Sequence, residues 1–96
     1  MLNCKNNQKY IAILSSAYRK LKQPTESLKL STDDSRNTAV LASRAAAYLD
    51  LGDLDNADLV IRRAYGFDLN NKNSQSYSYI QKVFCRLDKM KQYRKN

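Results

Sequence analysis

The sequence predicts an all-α protein of five helices, and three observations carry that prediction. Residues 37–71 hold two apolar-periodic segments. Leu41, Ala45 and Tyr48 fall at i, i+4 and i+7 in the first, and Leu54, Ala57, Ile61 and Ala64 at i, i+3, i+7 and i+10 in the second. Each set is one face of a 3.6-residue period, the mark of an amphipathic helix. Gly52-Asp53 joins the two: Gly can take the left-handed conformation that ends a helix, and Asp can accept hydrogen bonds as the N-cap of the next. Two Gly and one Pro among 96 residues fit a helical chain without long turns. Asp55 and Asp58 are expected near the positive end of the second helix, and Arg62 and Arg63 near its negative end.

Taken in order, the chain begins with a helix predicted over 5–22, where Ile11, Leu14, Tyr18 and Leu21 form a stripe that Tyr10, Ile13 and Ala17 widen. An offset of thirty residues aligns this segment with the central one: Ile11 with Leu41, Ser15 with Ala45, Tyr18 with Tyr48, Leu21 with Leu51 and Ser27 with Ala57. Pro24 suits the first turn of a new helix, predicted over 25–30. A helix this brief needs neighbours packed on it. Ser31 to Ser35 is polar and reads as a loop. Asn70 to Ser74 reads as a connector in which Asn73 or Ser74 caps a last helix running to about Gln92. That helix carries Tyr77, Ile80, Phe84 and Leu87 on a stripe, with Val83 and Met90 beside it, and the final four residues are expected to fray.

Residues 38–71 resemble a tetratricopeptide repeat, a helix–turn–helix unit of about 34 residues. The matching residues are Ala45 and Tyr48 in the first helix, Gly52-Asp53 in the turn, and Ala57, Ala64 and Phe67-Asp68 in the second. Leu41 stands where the family prefers Trp, Arg44 replaces a usual Leu, Ile61 an aromatic, and Leu69 the closing Pro. The resemblance implies tetratricopeptide-like helical hairpins in one domain: a degenerate short repeat over 5–35, a well-formed repeat over 38–71 and a C-terminal capping helix over 74–92. Such arrays need a polar outer side at their ends. Lys82, Arg86, Lys89, Lys91, Arg94 and Lys95 supply one here.

Enzymatic chemistry finds no support in the sequence. There is no His, the commonest general base, and no Gly-rich phosphate loop or nucleophile elbow. Cys4 and Cys85 lack a neighbouring Cys partner, so neither a zinc site nor a disulfide framework is expected, and no cofactor is implied. The thiols are expected to be free and partly buried. Asp50, Asp53, Asp55 and Asp58 crowd the hinge without the spacing of a calcium loop, and read as turn and cap residues. No run of about 20 apolar residues marks a membrane span and no signal-peptide run opens the chain. A cytoplasmic location is the expectation.

The net charge is +8, and its distribution is uneven. Residues 1–30 carry six cations and one anion, 31–71 four and seven, 72–96 seven and one. In the tetratricopeptide family the first helix of each hairpin lines a concave surface. Carried over, that implies a partner-binding groove of Ala39, Ala42, Ala46 and Leu49, with Lys9, Ala12, Ser16 and Arg19 beside them. An Ala-lined groove accepts an extended or helical segment with bulky anchors. Lys9 and Arg19 would read an acidic residue or a carboxylate. The implied function is a non-enzymatic interaction module or chaperone holding an apolar segment of a partner protein, with or without acidic flanks. Residues 37–65, followed by the connector and the last amphipathic helix, are similar in layout to the C-terminal half of small bacterial type III secretion chaperones. The competing expectation is a basic nucleic-acid-binding protein, since the pI is near 9.7 and Tyr77, Tyr79 and Tyr93 lie near the basic end. A structural assembly subunit, completed by another chain, is the third.

Overall fold

A computed structural model describes residues 4–32, 36–68 and 75–95, and side chains over 10–32, 36–67 and 77–93. Five helices account for most of them, with no strand among the described residues: α1 (Cys4–Lys20), α2 (Pro24–Leu28), α3 (Thr38–Asp50), α4 (Leu54–Asp68) and α5 (Gln75–Lys95). The fold is all-α.

The centre is α3. Asn37 caps it, its side-chain oxygen accepting from the Val40 N–H at 3.0 Å. Every residue from Val40 to Ala47 is buried. Four of them are Ala, and side chains that small let other helices approach closely on several sides. α3 accordingly packs against α1, α2, α4 and α5. Against it α4 lays Leu54, Ala57, Val60, Ile61 and Ala64, and α5 lays Ile80, Val83 and Leu87, all buried in one cluster. Tyr65 of α4 meets α5 edge-on at Phe84, with ring centres 5.7 Å apart, and Tyr77 at 6.0 Å. Each fully buried Leu or Ile here contributes about 1.5–3 kcal/mol.

The two helix–helix turns are superimposable in their hydrogen bonds. At the first, the Lys22 N–H donates to the Arg19 carbonyl at 3.0 Å and the Gln23 N–H to that of Tyr18 at 2.8 Å. At the second, Gly52 N–H donates to Leu49 at 3.0 Å and Asp53 N–H to Tyr48 at 2.9 Å. Both are helix C-caps closed by a residue with positive φ. Pro24 opens α2, as expected, and Asp53 caps α4 by accepting from the Asn56 N–H at 3.3 Å.

Four expectations are corrected. α1 does not bury the stripe of Ile11, Leu14, Tyr18 and Leu21: Leu14 and Leu21 are exposed, as are Tyr10 and Ile13, while Ile11 and Tyr18 are half-buried. The helix is turned so that small Ser15, fully buried, sits at the centre of the packed face, as Ala45 does in α3. Arg62 and Arg63 lie short of the last turn of α4, and Arg62 instead pairs with Asp58 one turn back at 2.6 Å. α5 continues past Gln92 to Lys95. Cys85 is exposed. The expected caps Asn73 and Ser74, and Asp33 to Ser35 of the predicted loop, lie outside the described residues.

Candidate functional site

The small apolar side chains expected to line an open groove are in the core. Ala42, Ala46 and Leu49 are each no more than 1% exposed and belong to the same buried cluster as Ile80, Val83 and Leu87 of α5. The groove expectation is corrected for these three residues, because α5 and α1 both pack on α3 and leave that face no opening. Ala39, near the start of α3, is half-buried, as are Ala12, Ser16 and Arg19 of α1. Lys9 is in α1, but its side chain lies outside those described.

An open cleft does exist, displaced toward the end of α3. Its volume is about 1300 Å³, and Ser16 and Arg19 line it, joined by Tyr18 from α1, Lys22 from the first turn, Asp50 from α3, and Tyr79 and Arg86 from α5. Of the residues the sequence singled out for binding, then, two fall in the cleft and three in the core.

Asp50 organises the cleft. It is the last residue of α3, where the negative end of the helix dipole disfavours a carboxylate. Two guanidiniums offset that. Arg19 Nε donates to Oδ2 at 2.7 Å, and Arg86 Nη2 donates to Oδ1 at 2.8 Å. Arg19 Nη1 also donates to the Tyr79 hydroxyl at 3.0 Å. Side chains from three helices therefore meet at one carboxylate. Partial burial pushes the Asp50 carboxyl pKa up, but the bonds from Arg19 and Arg86 outweigh it and hold the group below its ordinary value. Burial also works against the charge of Arg19, and its bond to Asp50 more than restores it.

A second carboxylate ties α4 to α5. Lys91 Nζ donates to Asp58 Oδ2 at 2.8 Å, opposite the Arg62 bond, and the Lys91 bond above all holds the Asp58 carboxyl below its usual value. Arg44 makes a third charge arrangement, and this one is buried. Its side chain, 5% exposed, donates from Nη1 to the Leu28 carbonyl at 2.8 Å and the Ser31 carbonyl at 2.6 Å, and from Nη2 to the Tyr48 hydroxyl at 3.3 Å. It closes the open end of α2 onto α3.

Sequence reasoning missed Asp50, Tyr79 and Arg86 as a unit, having read Asp50 as a turn residue. The available signal was its position: an anion at a helix C-terminus needs a cationic partner, and α1 and α5 each bring one. Among the described residues no group of His, Cys, Asp or Glu could hold a metal ion, and no helix is long and apolar enough to cross a membrane. The arrangement offers paired charges, a phenol and an open volume. No family model matches the chain. No solved structure matches it significantly either.

Proposed function

We propose that this chain is a non-enzymatic protein-interaction module that holds an acidic segment of a partner protein in the cleft at the end of α3. The observation that carries the reading is the composition of that cleft. Arg19, Lys20, Lys22 and Arg86 stand against only Asp50 and Glu26, around a volume of about 1300 Å³ that can admit a peptide. Asp50 already shows how a carboxylate is received there, between two guanidiniums in charge-assisted bonds. Tyr18, Pro24, Leu51 and Tyr79 supply apolar and aromatic surface beside the cations, the mixture on which an extended segment is anchored. The resemblance of residues 38–71 to a tetratricopeptide repeat, and the matching turns at Lys22 and Gly52, support a stacked-hairpin interaction protein. In the finer form of this reading the chain is a secretion chaperone, and the segment belongs to an export substrate.

The nucleic-acid reading is weaker. Arg62 and Lys91 are engaged by Asp58, and Tyr77 is turned to Tyr65 rather than standing free for bases.

The test is fluorescence anisotropy with a proline-interrupted, Glu- and Phe-containing peptide, which cannot form a helix, and a short single-stranded oligonucleotide in parallel. The peptide should bind. Lys22→Asn with Arg86→Gln, both at solvated positions, should weaken it by about tenfold. Unchanged peptide binding in that variant removes the cleft from the function. Oligonucleotide binding that falls steeply with salt, with no peptide binding, replaces this reading with the nucleic-acid one.

A further inference from the structure

The side of α1 that faces away from α3 carries an apolar stripe that nothing covers among the described residues. Tyr10 and Ile13 are each 55% exposed, Leu14 47% and Leu21 66%, and Ala17 between them is exposed too. Since a helix turns about 100° per residue, these five fall within a sector of about 100°. It lies opposite fully buried Ser15. Single exposed hydrophobic residues are ordinary, but a contiguous stripe marks an interaction surface.

The chain itself shows what kind of element covers such a stripe. The thirty-residue offset that equates Lys22 with Gly52 maps Tyr10, Ile13, Leu14 and Ala17 onto Val40, Ser43, Arg44 and Ala47. Those four residues of α3 are all buried. The cover includes α2, whose end is bonded to Arg44. In the same way α5 receives α4 across Ile80, Val83 and Phe84. Each of these later helices is thus covered by the helix before it. Among the described residues α1 packs on α2 and α3 alone. The cover is a helix in both internal precedents.

Charge narrows the choice of helix. Besides Arg19, which turns into the cleft to Asp50, the sequence of α1 holds Lys5, Lys9 and Lys20 and neither Asp nor Glu. A second copy laid α1 against α1 would bring cation to cation. A second copy presenting α5 would offer Lys82, Arg86 and Lys89, which are exposed and again cationic. Both self-pairings are disfavoured by like charge. We propose that the outward face of α1 receives an amphipathic helix of another protein, apolar along one side and flanked by Asp and Glu. This surface is separate from the cleft, and it takes a helix rather than an extended segment.

The experiment uses the full chain and two synthetic amphipathic peptides with the same Leu stripe, one filled out with Glu and Gln, the other with Lys and Gln. Anisotropy should show the Glu peptide binding about tenfold or more tightly than the Lys peptide, in low salt. Ile13→Ser with Leu14→Ser, at exposed positions and so with unchanged thermal unfolding, should abolish that binding. Lys22→Asn with Arg86→Gln should leave it where it was. Equal affinity for the two peptides overturns the proposal without recourse to any variant. So does binding that survives the serine pair, or that is lost with the cleft pair, which would place the helix in the cleft. A sedimentation profile showing dimers that the serine pair dissociates assigns the face to a second copy and overturns it as well.

Discussion

Lys22 holds, at φ 63°, the left-handed position that Gly52 holds at φ 78° thirty residues later. The hydrogen bonds around the two are the same, so the backbone demand is the same and only one of the two residues meets it without strain. A left-handed residue with a Cβ costs about 1–2 kcal/mol, and part of that is offset by the larger entropy of an unfolded Gly. Lys22→Gly should therefore stabilise the chain, by less than about 1 kcal/mol. Gly52→Ala should destabilise it by about 1 kcal/mol, although a Cβ there would meet no atom within 4 Å. Urea midpoints of the two variants, moving in opposite directions, check the pair.

At Asp50 the prediction concerns acid. Asp50 and Asp58 both have folded-state pKa values below the ordinary 3.8. Their stabilisation is thus complete above that value and is lost as pH falls through the folded-state values, since only then does the native state take up the proton the unfolded state already holds. Thermal stability should be flat from neutral pH down to about pH 5 and decline below about pH 4. Asp50→Ala should cost about 0.5–1.5 kcal/mol at neutral pH, because two solvent-accessible charge-assisted bonds are lost and Arg19 and Arg86 are left facing one another, and should flatten the acid decline. A decline of unchanged steepness in that variant would assign the acid sensitivity elsewhere.

Ser15 and Ser27 are both fully buried, and neither hydroxyl has a hydrogen-bond partner among the described residues. They stand where the central hairpin has Ala45 and Ala57, so the packing there asks for a small side chain, and the oxygen adds only a desolvation cost of about 1–3 kcal/mol. Replacing both with Ala should leave the fold intact and raise stability by about 1–2 kcal/mol. Ser15→Leu should lower it by about 1–3 kcal/mol through overpacking. Differential scanning calorimetry on the three proteins reads the sign directly.

Arg44→Leu introduces the side chain that tetratricopeptide repeats usually carry at the resembling position and removes a buried charge, yet it should destabilise. The Leu28 and Ser31 carbonyls would lose the donor that holds α2 against α3. The expected cost is about 1–3 kcal/mol. Its signature is local: amide exchange in residues 24–30 should rise before that of α3 or α4. Uniform acceleration across all five helices would deny Arg44 its role at α2.

Which features could be read from the sequence follows from their range. The Gly52 cap, the Asp53 N-cap, Pro24 and the α5 stripe around Ile80 and Leu87 are local chemistry, set within a turn or two of chain. The orientation of α1 is not. Its apolar residues outnumber what one face can hold, and the contact selects small Ser15 over Leu14 because α2 and α3 must come close there. Ala42 and Ala46 were misplaced for a related reason. An Ala-rich face suits an empty groove and a close helix contact equally, and only the approach of α5 decides. Asp50 was legible in principle, since its cost at a helix end implied partners, but Arg19 and Arg86 lie 31 and 36 residues away along the chain.

The position of α3 has a mechanical consequence. α1 and α2 form one leaf and α4 and α5 another, and each leaf packs on α3 while, among the described residues, no helix of one packs on a helix of the other. What spans them directly is polar: Arg19 to the Tyr79 hydroxyl, with Asp50 gripping both sides. α3 is thus the seat of both leaves, and Arg19, bonded to Asp50 and to the Tyr79 hydroxyl, ties them together across the cleft.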